Sequence, residues 1–157
     1  MSYQKAFQEY LLLEKNYSLH TVTAYGNDLI FFKEFLKSNF DTEKLEEVNY
    51  SMIRSWIVAM VDDGVANSSV NRKISSLKSF YKFLLKIKVI ESSPLLKHKS
   101  LKTPKKLQIP FSENELDMVL NNLKFPDGFE GIRDKLIIDL FYTTGIRRIE
   151  LISLKMQ

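Results

Sequence analysis

The segment best suited to chemistry is Thr143-Thr144-Gly145-Ile146-Arg147-Arg148-Ile149-Glu150-Leu151. Gly145 permits a tight turn after an apolar helix and places Arg147 at the start of the next one. A guanidinium there can project into a cleft and grip a phosphate through two parallel hydrogen bonds. Glu150, three residues on, shares its side of the helix and can orient it. The same spacing also fits a local Arg147–Glu150 ion pair with no further role. A second concentration is cationic. Lys78, Lys82 and Lys86 recur at i, i+4 and i+8 and stack along one side of a helix, while Arg72, Lys73, Ser75, Ser76 and Ser79 add donors. Such a face can lie against a phosphate backbone or in a major groove; the alternative is a solvated lysine face. Between Val70 and Lys106 the only acid is Glu91, against eleven Lys and Arg. That one-signed stretch is the footprint of a polyanion binder.

Composition narrows the class of protein that positions these groups. The 157 residues are 45% hydrophobic and 27% charged, with a net charge of +4, as in ordinary globular chains. No apolar run reaches the roughly 18 residues of a membrane span. The opening Met1-Ser2-Tyr3-Gln4-Lys5 lacks the order of a secretory signal. There is no cysteine, and the two histidines are His20 and His98, so there is no thiolate zinc site and a metal site is not expected. These features fit a cytoplasmic protein with no membrane partner.

Helical periodicity dominates. Phe7, Tyr10, Leu11 and Leu12 form a short amphipathic pattern. Thr21 is expected to cap a second helix, along which Val22, Tyr25, Leu29, Phe32, Phe35 and Leu36 share a face. A third helix starts near Asn49 or Ser51 and carries Ile53, Trp56, Ile57 and Met60 to a break at Asp62-Asp63-Gly64. The fourth follows Asn67-Ser68, with Val70, Ile74, Leu77, Tyr81, Leu84 and Leu85 on its apolar side. Residues 92–110 contain Pro94, Pro104 and Pro110 and read as a basic linker. Ser112 and Glu115 form a capping box ahead of Leu116, Val119, Leu120 and Leu123. A Pro-Asp-Gly turn at 126–128 leads to Leu136, Ile137, Leu140 and Phe141, and a short helix is expected around Arg148–Leu154. The expected layout is all-α: a four-helix domain at 1–91, a linker at 92–110, and the beginning of a second helical domain at 111–157.

Three blocks resemble the lambda-integrase-like, Xer-type tyrosine recombinase family, in the right order. They are Ser18-Leu19-His20-Thr21-Val22-Thr23-Ala24-Tyr25 with Leu29, Phe32 and Phe35; Ser69-Val70-Asn71-Arg72-Lys73-Ile74-Ser75-Ser76-Leu77-Lys78-Ser79-Phe80-Tyr81 followed by Ser93-Pro94; and Arg133-Asp134 with Tyr142-Thr143-Thr144-Gly145-Ile146-Arg147, Glu150-Leu151 and Leu154. The resemblance implies a SAM-like core-binding domain, then the first helices of an incomplete catalytic domain. It implies a clamp around double-stranded DNA, and a full-length enzyme that recombines DNA at specific sites through a 3′-phosphotyrosyl intermediate. That enzyme needs no metal or cofactor. It is a tetramer on two duplexes, with a paralogous recombinase as a candidate partner.

By the same match Arg147 is the first catalytic arginine and Glu150 the supporting acid. Thr21, Ser69, Asn71, Arg72, Lys73, Ser76, Lys78, Lys82, Lys86, Lys105 and Lys106 are candidate DNA contacts. The family's remaining catalytic groups, the nucleophile among them, belong beyond Gln157. Tyr142 precedes the arginine and is not that nucleophile, so this chain is expected to bind DNA and not to cut it. Two alternatives stand beside this reading: a stand-alone DNA-binding module, and a helical domain whose basic face binds acidic proteins.

Overall fold

Ser2 and Ser18 each stand extended before an apolar-periodic run, and each side chain accepts a hydrogen bond from a backbone N–H two or three residues on. Helices α1 (Tyr3–Leu13) and α2 (Leu19–Phe40) follow. The cap of α2 is therefore Ser18 and not Thr21. Thr21 lies one turn inside the helix, its N–H donating to Ser18 Oγ at 3.3 Å and its hydroxyl 3.0 Å from the same oxygen. After a 3-10 turn at Leu45–Glu47, Asn49 caps α3 (Tyr50–Asp62) by accepting from the Met52 N–H. Helix α4 (Asn67–Lys86) begins a residue or two earlier than its sequence pattern suggests. The structure is a computed structural model that describes residues 2–105, 107 and 109–155. It is helical, with no strand among the described residues.

The chain divides into two units, 1–105 and 106–157. In the first, α1, α2 and α3 pack around α4. Val70, Ile74, Leu77, Phe80, Tyr81, Phe83 and Leu84 of α4 are all buried, as the 3.6-residue period requires. They meet Phe7 and Leu11 of α1, Leu29, Phe32 and Leu36 of α2, and Ile53, Trp56, Ile57 and Met60 of α3 in one core. Phe7 meets Phe80 edge-on with ring centroids 5.3 Å apart, and Phe32 lies 4.8 Å from Trp56. The Tyr81 hydroxyl, within this core, donates to the Leu45 carbonyl at 3.1 Å.

This unit extends to Lys105 and so takes in residues of the expected linker. Part of the expected linker is docked. Leu95 is buried and Leu101 half-buried against the core. Asn71 donates to the Leu101 carbonyl and accepts from its N–H, both at 2.9 Å, and Asn67 donates to the Lys102 carbonyl at 2.8 Å. Proline bars this segment from helix, so its backbone groups find partners in side-chain amides instead.

The second unit contains α5 (Glu113–Asn122), α6 (Phe129–Thr144) and α7 (Arg148–Ile152). The expected capping box is present: the Ser112 N–H donates to Glu115 and the Glu115 N–H donates to Ser112 Oγ. Gly145 ends α6 in the left-handed region at φ 62°, where a side chain would be strained.

Candidate nucleic-acid interface

Helix α4 presents its polar side to a groove of about 380 Å³ lined by Tyr10, Lys15, Tyr17, Tyr25, Ser75, Lys78, Ser79 and Lys82. Three elements build it. Tyr10 comes from the end of α1. Lys15 and Tyr17 come from the turn at Asn16, whose φ of 51° folds the chain back, and Tyr25 comes from α2. Tyr17 and Tyr25 meet edge-on with centroids 6.2 Å apart. Burial pushes the Tyr25 phenol up, so it stays a neutral O–H donor. Among the described residues no carboxylate pairs with Lys15, Lys78 or Lys82. Lysines beside serine and tyrosine hydroxyls, without a neutralising acid, form a surface that can take backbone phosphates.

The candidate contacts read from the sequence separate into several groups. Lys78 and Lys82 line the groove together. Lys86, the third of the row, instead pairs with Glu14 at the end of α1 and lies 4.6 Å above the Tyr10 ring. Thr21 is tied to Ser18, and Asn71 to Leu101. Ser69 and Lys105 are exposed. Lys106 lies outside the described residues.

Arg72, Lys73 and Ser76 converge on one acid that the sequence reading did not single out. Asp28, on α2, is only 2% exposed. Arg72 grips it with both terminal nitrogens, at 2.8 and 2.9 Å; Lys73 reaches it at 3.1 Å, and the fully buried Ser76 donates at 2.6 Å. Lys73 also sits 4.9 Å over the Phe31 ring. Burial pushes the Asp28 carboxyl up, but the hydrogen bonds from Arg72, Ser76 and Lys73 outweigh it and hold the group below the usual carboxylate range. Ser76 and much of Lys73 are thereby withdrawn from the surface. The signal was available: Asp28 is a charge inside the apolar run of α2, and α4 carries no acid to pair with its own cations.

In the second unit, Arg147 stands immediately before α7 with its side chain 80% exposed. Its guanidinium donates to Glu150 at 3.0 Å and its backbone N–H donates to the same carboxylate at 2.9 Å. The two residues are brought together as expected, in the local pair that the spacing allows. Tyr142 is half-exposed on α6. Among the described residues no group of His, Asp or Glu could hold a metal, and no helix is long and apolar enough to cross a membrane.

Residues 5–88, the four-helix unit that carries the groove, match the phage integrase N-terminal SAM-like domain. The chain belongs to that family. Among curated members of its wider group, it is 37% identical over 153 residues to the tyrosine recombinase XerC of Syntrophus aciditrophicus strain SB, covering 94% of this chain and 49% of that one. To XerC of Oceanobacillus iheyensis it is 35% identical over 157 residues, 99% of this chain and 50% of the other. To XerC of Rickettsia typhi it is 34% identical over 161 residues, 96% and 51%. The chain thus spans about half the length of the curated relatives it matches. No solved structure matches it.

Proposed function

We propose that the first unit binds double-stranded DNA through the groove between α1 and α4. In this reading the whole protein breaks and rejoins DNA at specific sites through a 3′-phosphotyrosyl intermediate. The observation that carries it is the meeting of Lys15, Lys78 and Lys82 with serine and tyrosine hydroxyls, with no acid among them. The similarity to tyrosine recombinases supports the enzymatic half. Arg147 and Glu150 are the proposed first members of the cutting site: the arginine leaves Glu150 for a scissile phosphate, to which it offers two parallel N–H donors. Assembly as a tetramer on two duplexes with a paralogous recombinase, and a cytoplasmic location, belong to the same proposal.

The test is binding of the chain to a labelled mixed-sequence duplex across a salt series. Affinity should fall steeply as salt rises, because phosphate contacts release counterions. Replacing Lys78 and Lys82 together by alanine should weaken binding at every salt and reduce the slope of log affinity against log salt by about two. Absence of binding to the duplex at low salt sinks the proposal. Unchanged DNA binding after Lys78→Glu and Lys82→Glu, with loss of an acidic protein partner, turns it into the protein-interaction reading.

A further inference from the structure

The Asp28 network is asymmetric. Its carboxylate is buried, while the Arg72 side chain that grips it is 51% exposed. Asp28 takes one hydrogen from each terminal nitrogen of Arg72. A guanidinium carries five N–H groups in a rigid fork, so three remain beyond the carboxylate. Ser76 and Lys73 hold the carboxylate from its other sides, which fixes it as a platform. The helical register then sets where that platform presents the arginine. Arg72, Ser75, Ser79 and Lys82 stand at i, i+3, i+7 and i+10 on α4, one face, and the last three line the groove. Tyr25, also on its wall, lies one turn before Asp28 on α2 and is close enough for both Asp28 and Arg72 to act on its phenol.

We propose that Asp28 is a positioning residue for Arg72, holding the guanidinium so that its unbonded N–H edge extends the α4 groove and takes a DNA backbone phosphate. This rests on the DNA-binding reading above. A purely structural clasp is a poor account of the same residues. Burying a carboxylate for a half-exposed partner adds little stability over apolar packing. A phosphate contact needs just this arrangement: a charge whose direction is fixed before the ligand arrives.

The two accounts differ in sign. Asp28→Asn removes a negative charge from a polyanion site, so charge alone makes binding tighter. Loss of positioning makes it weaker. The experiment measures anisotropy of a labelled mixed-sequence DNA duplex with the full chain across a potassium chloride series, with helicity and thermal unfolding recorded for each variant. Asp28→Asn should bind about tenfold more weakly, with the salt slope reduced by about one. In an Arg72→Gln background the positioning loss is already complete, so the same change should not weaken binding further and should leave only the charge effect, equal or slightly tighter binding. A folded Asp28→Asn variant that binds as well as or better than the parent overturns the proposal. So does one that only unfolds at lower temperature with its salt slope unchanged. Where Asp28→Asn does not fold, Arg72→Lys decides. It keeps the charge but loses the fork, and should bind as weakly as Arg72→Gln; binding equal to the parent overturns the proposal. A parent that ignores the duplex at low salt overturns the DNA reading and this inference together. A parent that binds beside unaffected variants overturns this inference alone.

Discussion

The two units are made of equally regular helices held in unequal ways. In the first, α4 is surrounded, and the core runs from Phe7 to Leu95. In the second, Gly131 is the only described residue that is buried, while Phe129, Ile132, Leu136, Ile149 and Ile152 are exposed. What the second unit does possess is local chemistry: the Ser112–Glu115 box, the left-handed Gly145 and the Arg147–Glu150 pair. Local signals specify where a helix starts and stops without reference to any core. Burial is a separate matter that only packing decides.

The sharpest way to break this comparison is to truncate one apolar side chain in each unit. Phe80→Ala, at the centre of the first core, should cost about 3–5 kcal/mol of stability, while Leu136→Ala should stay within about 0.5 kcal/mol. Trp56 is the one tryptophan and is buried in the first unit, so its fluorescence in a urea titration reports on that core. A Leu136→Ala shift as large as that of Phe80→Ala would mean that the two regions are not separate.

Acid provides the next contrast. The Asp28 carboxyl is held below its usual 3.8 in the folded chain. Its contribution is therefore fully present above that value and lost as pH falls through the lower, folded one. The Trp56 transition should weaken below about pH 4, and Asp28→Asn should flatten that acid limb. An unchanged limb would show that other carboxylates carry it. Glu43, held by Lys33 and Lys37 down to about 2, is the named competitor, although its exposure to solvent screens its effect.

Smaller effects refine the same distinction. Tyr81→Phe leaves the Leu45 carbonyl without its donor and should cost about 1–2 kcal/mol in the first unit. Ser112→Ala removes the α5 cap and should cost about 1 kcal/mol of local helix stability. It should be visible as faster amide exchange in α5 with no change at Trp56.

Much of this architecture was legible in residue spacing. The apolar face of α4 needed only the period from Val70 to Leu84, and the α5 start needed only Ser112 and Glu115. The misreadings have physical reasons. Thr21 and Ser18 are both good caps three residues apart, and only backbone geometry shows which one is extended. Proline at 94 and 104 correctly excluded helix, but nothing in their spacing showed that Asn71 and Asn67 would hold the intervening backbone. The lysine row was read as one surface, because Glu14 lies 72 positions from Lys86 and long-range pairing leaves no periodic trace. The groove was half visible. Its α4 side follows from helical spacing, but Lys15 and Tyr17 reach it only through the left-handed turn at Asn16.

The docked backbone at Leu101 also bears on what kind of information the first turn of α4 can take from a duplex under the proposed reading. An asparagine amide reads adenine by offering one donor and one acceptor to the edge of the base. Asn71 has both engaged by the backbone N–H and carbonyl of Leu101 in its own chain, and the Asn67 amide nitrogen donates to the Lys102 carbonyl. In effect, a stretch of polypeptide occupies the place of a base edge. Beside the exposed Ser68 and Ser69, that helix start retains the charge of Arg72, which every phosphate accepts alike. Under the proposed DNA-binding reading, the contact made there by Arg72 is one to a phosphate and carries no sequence information.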